Sequence, residues 1–200
     1  MDLMWLELVV KYLVKGMRKN FAILDVETTG GKFNEEKITE IAIFIYNGEK
    51  IIDKFESLIN PSKEIQPFVQ RLTGINNELV KDSPKFIDVS KEIFEITKNK
   101  IIVAHNVDFD YRIIKNEFQH INIKYTRDTL CTVDLSKLIF PDLKSYKLTN
   151  LLSNFGIENE NPHRANSDAL GVVELFKILT YKDLDMKVII SKIKSNREYK

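Results

Sequence analysis

Residues 21–30 have the sequence Phe21-Ala22-Ile23-Leu24-Asp25-Val26-Glu27-Thr28-Thr29-Gly30, and the rest of the chain is organised around them. An apolar run that closes on a glycine is typical of a β-strand followed by a turn. Side chains alternate along a strand, so Asp25 and Glu27 share one face with Ile23. Two carboxylates on that face need a cation if they are buried, because an unpaired buried charge is strongly unfavourable. The alternative is that both lie at a strand end and face water.

Length and composition indicate one globular domain. The chain has 200 residues, which suits a single domain with a sizeable core. Its formal net charge of +1 gives no global positive field, although a local basic rim remains compatible with a polyanionic ligand. The single cysteine, Cys131, excludes an intrachain disulfide and favours a reducing compartment, the cytoplasm.

The first 18 residues predict an amphipathic helical extension. Glu7, Lys11 and Lys15 follow helical spacing and leave a narrow polar stripe on an apolar helix. The apolar run is too short and too interrupted for a membrane span, and the acidic start is unlike a secretory signal. Three explanations stay open: the helix packs on its own domain, it packs on a second subunit, or translation begins at Met17.

The remaining pattern predicts a mixed α/β sheet covered by helices. We expect strands at 20–28, 38–46, 49–59, 101–104 and 123–130. We expect short helical pieces over 64–82, a helix after Pro84, and helices at 131–139, 147–155 and 165–180. Asn47-Gly48 is typical of a two-residue hairpin turn, which makes the second and third strands antiparallel. The domain then spans 19–180, and 181–200 forms a charged C-terminal helix or tail.

Acidic residues recur where strands end and helices begin. Asp108 and Asp110 follow the apolar strand at 101–104, and Asp168 lies early in a helix, five residues after His163. Ligands of open α/β sheets bind beyond the carboxyl ends of the strands, so we expect Asp108 and Asp110 to meet the first acidic pair. Spacing alone does not separate Asp108 from Asp110. Asp168 has a second interpretation, stabilisation of a helix N-terminus, and His163 has that of an exposed loop residue.

Three segments, in this order, resemble the motifs of the DEDDh 3′→5′ exonucleases, the group that includes the DNA polymerase III epsilon proofreading subunit. They are Asp-Val-Glu-Thr-Thr-Gly at 25–30, His-Asn-Val-Asp-Phe-Asp at 105–110 and His-Arg-Ala-Asn-Ser-Asp-Ala at 163–169. Leu72-Thr73-Gly74-Ile75 and Asp128-Thr129-Leu130 resemble intervening family segments. The resemblance extends from about residue 19 to residue 180 and implies a ribonuclease H-like sheet, with an antiparallel meander joined to parallel strands.

The resemblance also implies an active site with two divalent ions, Mg²⁺ or Mn²⁺. Asp25 would contact both ions, and Glu27 and Asp168 would hold the ion that carries the attacking water. Asp110, selected from the second acidic pair, would help to hold the other ion, and His163 would take the proton of the water. Four carboxylates suit hard cations that assist phosphodiester hydrolysis, and imidazole is suited to a general base near neutral pH.

Substrate contacts are predicted beside these catalytic residues. Thr28 and Thr29 would offer hydroxyl and backbone N–H groups to the terminal nucleotide. Leu72 and Phe109 would pack on bases, with plain core packing as the alternative. Asn106, a predicted helix cap, and His163 complete the set of predicted substrate contacts.

Basic residues give a weaker indication. Lys144, Lys147 and Arg164 are candidate phosphate contacts, and a solvated charged face explains them equally well. His105 lies at the end of a predicted strand, where we expect a structural role near the site rather than a chemical one.

The sequence therefore predicts a 3′→5′ exonuclease that releases nucleoside 5′-monophosphates. DNA is the favoured substrate, since the segment at 25–30 resembles the proofreading group. We expect single-stranded 3′ ends as the main partner and a DNA polymerase subunit as a candidate second partner. Two alternatives stay open, namely an exoribonuclease of the same family and a non-catalytic module that binds nucleic-acid ends or docks on a polymerase. The complete set of four carboxylates with His163 favours the enzyme.

Overall fold

A computed structural model describes residues 20–181 and 191–195. The predicted helix at 1–18 and most of the segment 181–200 lie outside the described residues. The strands are β1 (Phe21–Thr28), β2 (Ile38–Tyr46), β3 (Ile51–Leu58), β4 (Ile101–Ala104) and β5 (Asp128–Cys131). The helices are α1 (Pro67–Thr73), α2 (Asn77–Val80), α3 (Phe86–Ile96), α4 (Val107–His120), α5 (Thr132–Ile139), α6 (Leu148–Asn154) and α7 (Ala165–Tyr181).

The five strands form one mixed sheet in the order β3-β2-β1-β4-β5. An antiparallel meander joins β1, β2 and β3, while β4 and β5 run parallel to β1. This arrangement confirms the predicted mixed α/β fold. None of the helices in the described part of the chain has both the length and the apolar character that a membrane crossing needs.

The central strand, β1, extends beyond its parallel neighbour. Its pairing with β4 runs only from Phe21, opposite Ile101, to Ile23, opposite Val103. The last five residues of β1 therefore keep one edge that β4 does not cover. That uncovered edge faces the start of α4, which follows β4 directly.

Both faces of the sheet are covered, and β1 supplies side chains to each core. Ile23 belongs to the core under α7, together with Phe176 of that helix. Leu24 and Val26 belong to the opposite core, together with Phe118 of α4. The predicted alternation along β1 is therefore confirmed, and the face of Ile23 continues toward α7 through the two acidic positions that follow.

The turn between β2 and β3 differs from the prediction. Asn47-Gly48 was expected to form a two-residue turn, but the connection spans 47–50, and β3 begins at Ile51. The Asn47 side-chain oxygen accepts hydrogen bonds from the backbone N–H groups of Glu49 and Lys50, both at 2.9 Å. The asparagine thus closes the loop with its own side chain, as this residue commonly does in turns. The predicted antiparallel pairing is confirmed.

The fifth strand is shorter than predicted. The expected strand at 123–130 begins only at Asp128, because aromatic packing rather than strand pairing fixes the residues before it. Tyr125 is buried and stacks on Phe118, with the ring centres 4.4 Å apart. Its hydroxyl donates to the Thr97 hydroxyl at 3.0 Å.

Part of the C-terminal segment lies beside the sheet edge. Within 191–195, Lys194 forms an isolated antiparallel bridge with Thr129 of β5, with N–O distances of 3.0 and 2.8 Å. Residue 194 is therefore extended, whereas a helix was one of the two predicted forms of the segment 181–200. Pairing of this kind covers part of the exposed edge of an outer strand.

Candidate active site

Three carboxylates converge at the end of β1. One oxygen from each of Asp25, Glu27 and Asp168 lies within 4.8 Å of the other two. Asp25 and Glu27 occupy alternate positions of β1, and Asp168 lies in the first turn of α7, which packs across that face of the sheet. Carboxylates this close repel one another unless a proton or a cation lies between them. Oxygen ligands of this kind suit a hard divalent cation.

Asp110 joins this group from the other side of β1. It lies in the first turn of α4, is only 3% exposed, and accepts a hydrogen bond from the backbone N–H of Val26 at 3.2 Å. Pairing between β1 and β4 ends at Ile23, so the Asp110 carboxylate accepts a backbone hydrogen bond at the edge of β1 that β4 leaves uncovered. We refer to Asp25, Glu27, Asp110 and Asp168 as the acidic cluster.

Asp108 points away from the acidic cluster. Its carboxylate is exposed, and both of its oxygens contact the Lys194 ammonium group, at 2.9 and 3.2 Å. Two residues along an α-helix differ by about 200° around the axis, so Asp108 and Asp110 cannot share a face. The helix geometry therefore places Asp110, and not Asp108, at the acidic cluster, a choice that sequence spacing alone did not make.

Burial raises the pKa values of Asp25, Glu27 and Asp110, and repulsion from neighbouring carboxylates adds to the effect at Asp25 and Glu27. Burial, followed by the charges of Asp110 and Glu27, raises the pKa of Asp25 well above its ordinary value. Burial, with the charges of Asp168 and Glu40, raises the pKa of Glu27 to about 8. Burial also raises the pKa of Asp110 to about 7, against the opposing effect of backbone N–H donors. A bound cation would relieve this repulsion.

The loop at 157–164 holds Asp168 and His163 together. Asn159 donates its side-chain amide to one oxygen of Asp168 at 2.6 Å, and the backbone N–H of His163 donates to the other at 3.0 Å. The Ser167 hydroxyl fixes Asn159 through a 2.5 Å hydrogen bond. His163 has a φ of +64°, a left-handed conformation that is uncommon outside glycine, and its side chain is exposed. The loop therefore holds the histidine backbone against the acidic cluster.

A buried ion pair anchors the start of α7. Glu40 of β2 is 7% exposed and lies opposite Glu27 in the strand pairing. Its carboxylate accepts two hydrogen bonds from the Arg164 guanidinium, at 3.0 and 2.6 Å, and one from the Ala165 backbone N–H at 2.8 Å. Arg164 was predicted as a phosphate contact. That prediction is wrong, because the guanidinium is committed to a buried carboxylate that needs its charge.

The turn after β1 uses the hydroxyls that were predicted to contact substrate. Thr29 is fully buried, and its hydroxyl donates to the Gly30 carbonyl at 2.9 Å and accepts from the Lys37 N–H at 3.1 Å. The Thr29 hydroxyl is therefore hydrogen-bonded within the turn, and its contact with substrate stays a prediction. Thr28 is 8% exposed and accepts from the Gly30 N–H at 3.2 Å. Gly30 has a φ of +67°, and a Cβ there would lie 2.8 Å from Val69, so the turn requires glycine.

The other predicted substrate contacts lie at the surface. Leu72 is 52% exposed and Phe109 is 37% exposed, which excludes core packing as their explanation. Asn106 occupies the N-cap position of α4, as predicted, with a φ of +75°, but its side chain makes no capping hydrogen bond. Its exposed amide remains next to the first turn that carries Asp110.

His105 has the structural role that its position predicted. Its Nε2 donates to the Tyr146 carbonyl at 2.8 Å, and its Nδ1 lies 2.9 Å from the Thr132 hydroxyl. Burial lowers the pKa of His105, which favours the neutral ring. These contacts attach the loop that carries Lys144 and Lys147 to the end of β4, and both lysines are exposed.

Sequence reasoning missed Glu40 and Asn159. Glu40 lies within an otherwise apolar strand, and a lone acid in such a strand is the signal that was available. Asn159 lies in a polar loop with no pattern that marks it. Both residues act on the site through contacts that only the folded chain creates.

We expect the cation-free protein to lose thermal stability as pH rises from about 5 to about 8. Glu27 and Asp110 have pKa values of about 8 and about 7, raised from ordinary values of 4.5 and 3.8. In that window the folded protein binds more protons than the unfolded chain, so a rise in pH favours unfolding. Thermal unfolding with EDTA should show the fall, and added Mn²⁺ should raise Tm more at high pH.

Glu27→Gln should flatten this pH dependence, whereas Asp108→Asn, which changes an exposed acid, should leave it unchanged. A wild-type Tm in EDTA that stays constant across the window would contradict the raised pKa values.

Arg164→Leu should lower the free energy of unfolding by about 1–3 kcal/mol, because it leaves the buried Glu40 carboxylate without its charge partner. The Arg164 side chain is 39% exposed, which keeps the loss below that of a fully buried pair. The double variant Arg164→Leu/Glu40→Gln should recover part of the loss in urea unfolding. Equal losses in both variants would show that the charge pair is not the cause.

Comparison with known proteins places the chain in a family. Residues 22–176 match the model of the RNase_T exonuclease family. The 3′-5′ exonuclease DinG of Staphylococcus aureus (strain USA300) is 38% identical over 166 residues, which cover 82% of this chain and 18% of that protein. The chain therefore spans less than a fifth of the length of this relative.

Solved exonucleases share the fold. The zinc-bound complex of E. coli exonuclease I with single-stranded DNA has a TM-score of 0.76 at 17% identity, over 86% of this chain and 42% of that chain. The nuclease domain of 3′hExo, a DEDDh family member bound to rAMP, has a TM-score of 0.74 at 17% identity, over 92% and 98% of the two chains. The fold is therefore ribonuclease H-like, as the motifs predict, and the chain belongs to the RNase_T family of exonucleases.

Proposed function

We propose that this domain is a metal-dependent 3′→5′ exonuclease that hydrolyses the terminal phosphodiester bond of a nucleic acid and releases nucleoside 5′-monophosphates. The observation that carries the proposal is the convergence of Asp25, Glu27 and Asp168 within 4.8 Å, with Asp110 beside them. Membership of an exonuclease family supports it. Because the chain covers 18% of its DinG relative, the substrates and partners of a longer protein are part of the proposal.

In the proposed reaction a water oxygen attacks the terminal phosphorus and the 3′-oxygen of the preceding nucleotide leaves. Divalent ions, Mg²⁺ or Mn²⁺, held by the acidic cluster would supply positive charge against the phosphoryl oxygens and lower the pKa of water. His163 accepts the proton of the attacking water, a role that neutral imidazole fills near neutral pH. The bond from its backbone N–H to Asp168 keeps the histidine beside the acidic cluster.

Asn106 and Phe109 contact the terminal nucleotide in this proposal, since both adjoin Asp110 at the start of α4. Leu72 of α1 presents a second exposed apolar side chain for base contact. Lys144 and Lys147 are proposed to contact phosphates, since both are exposed cations on the loop that His105 anchors.

DNA is the proposed substrate, because the segment at 25–30 resembles the proofreading group. Exonuclease X, which has the same fold with a TM-score of 0.66, was solved with 5′-overhanging duplex DNA. RNA is the second candidate, favoured by the likeness to 3′hExo, which was solved with rAMP, and to a 3′-exonuclease whose structure describes recognition of a histone mRNA stem-loop. A role in replication or repair, a DNA polymerase partner and a cytoplasmic location complete the proposal, the last on the evidence of the single cysteine, Cys131.

Asp25→Asn should lower mononucleotide release by about a hundredfold or more, because it removes a charge from the centre of the acidic cluster.

His163→Ala should lower kcat by about a hundredfold or more and leave Mn²⁺ affinity close to wild type. The matched control is Asp108→Asn, which should release mononucleotides at the wild-type rate. These outcomes are measured by chromatography of products from 5′-labelled oligonucleotides and by calorimetric titration of Mn²⁺. Near-normal turnover in Asp25→Asn would refute the assignment of the acidic cluster.

Substrate preference is tested with single-stranded DNA and RNA of matched sequence, each with Mg²⁺, Mn²⁺ or EDTA. The proposal predicts a higher kcat/KM for DNA and no release in EDTA. A higher kcat/KM for RNA would make RNA the proposed substrate instead of DNA. No release under any condition would support a non-catalytic module that binds nucleic-acid ends.

A further inference from the structure

An exposed aromatic surface lies beside the acidic cluster. Phe33 is 72% exposed and Phe109 is 37% exposed. The guanidinium carbon of Arg112 lies 4.3 Å from the centre of the Phe33 ring and 5.4 Å from that of Phe109. We refer to Phe33, Arg112 and Phe109 as the stacking platform. Single exposed apolar residues are ordinary, but two exposed aromatic rings that contact one guanidinium form a continuous patch.

The stacking platform begins at the acidic cluster and leads away from it. Phe109 is the neighbour of Asp110 in the first turn of α4. Arg112 follows Phe109 by three positions, so the two side chains are neighbours on the helix surface. Phe33 reaches the same place from the loop that follows β1, three residues after Gly30. The platform therefore adjoins the site at which a terminal phosphodiester would be hydrolysed.

Hydrogen bonds hold the stacking platform in place. The two terminal nitrogens of Arg112 contact the Glu36 carboxylate at 3.0 and 3.2 Å. The side-chain oxygen of Asn34 accepts from Arg112 at 3.1 Å and from the Asn116 amide at 3.0 Å. The loop that carries Phe33 is thus attached to α4 through two residues that follow the ring, Asn34 and Glu36. A surface ordered before binding loses little conformational entropy when a ligand arrives.

The charge of the stacking platform indicates what it binds. Glu36 compensates the positive charge of Arg112, so the platform offers planar π surfaces rather than a free cation. A phosphate group would gain little from a guanidinium that is already paired with a carboxylate. Unpaired nucleobases suit it better, since every base has a π face and stacks on aromatic rings and on arginine.

We propose that the stacking platform extends the contact of Phe109 with the terminal nucleotide, and that Phe33 and Arg112 bind unpaired nucleobases of the same strand, one or more nucleotides before its 3′ end. This inference rests on the proposed function and extends it to the penultimate part of the substrate. Stacking of this kind tolerates any base, which suits an enzyme that shortens strands of any sequence. Bases within a duplex are already stacked on one another, so the platform would favour single-stranded 3′ ends.

The test compares a short substrate with a long one. We would measure kcat/KM with Mn²⁺ for a thymidine dinucleotide and a decathymidine, with uridine oligonucleotides as the RNA arm. In Phe33→Ala the ratio of long to short substrate should fall by about fivefold to tenfold. Phe33→Trp, which keeps an aromatic ring, should retain the ratio. Ile87→Ala is the matched control, because Ile87 is a 59% exposed apolar residue of α3 outside the platform.

An abasic decanucleotide separates base stacking from backbone contacts. A strand without bases at the second to fourth positions from its 3′ end should lose the length advantage with the wild type. Phe33→Ala should cause no further loss on that strand. An unchanged ratio in Phe33→Ala, or an equal loss on normal and abasic strands, would overturn the proposal.

Binding of 5′-fluorescein-labelled decathymidine, measured by anisotropy in EDTA, separates the two proposals. If the wild-type protein releases no mononucleotide but binds the decanucleotide more tightly than Phe33→Ala does, the result contradicts the proposed function and supports the stacking platform. If the wild-type protein releases mononucleotides and Phe33→Ala does not change the ratio of kcat/KM for long and short substrates, the result supports the proposed function and contradicts the stacking platform.

Discussion

The repulsion among four carboxylates at the end of β1 is the constraint on which the rest of the site depends. One oxygen from each of Asp25, Glu27 and Asp168 lies within 4.8 Å of the others, and Asp110 approaches from the opposite edge of the strand. Such a cluster opposes its own formation, so the surrounding structure must hold each acid in place. The same repulsion favours binding of a cation, because a positive charge among the carboxylates lowers the electrostatic free energy that their proximity raises.

The scaffold supplies this restraint from three directions. β1 extends past β4, and the buried N–H of Val26, which β4 does not pair, donates to Asp110. Glu40 binds both Arg164 and the backbone of Ala165, which fixes the start of α7 on β2. Further along α7, a Cβ at Gly171 would lie 2.7 Å from a side-chain carbon of Leu152, so this glycine permits the close approach of α6. The helix that carries Asp168 is thus held at its start and along its length.

Local patterns predicted the architecture and the acidic segments, and the resemblance to the exonuclease motifs selected Asp110 and His163 within them. β-Branched strands, turn residues and helical spacing are local signals, and the rule that ligands bind at the carboxyl ends of strands placed the acids of separate segments at one edge. The residues that sequence reasoning missed depend on distant contacts. Glu40 and Arg164 are 124 positions apart, so their pairing leaves no local pattern. The hydrogen bond from the Lys37 N–H to the Thr29 hydroxyl likewise depends on a loop that closes only in the folded chain.

We propose that the acidic cluster holds divalent ions. Anomalous diffraction from crystals grown with Mn²⁺ and a nucleoside 5′-monophosphate would locate those ions directly. We expect manganese peaks in contact with Asp25, Glu27 and Asp168, with the phosphate of the nucleotide beside them. Manganese bound elsewhere, with these carboxylates contacting only protein or water, would contradict the proposal.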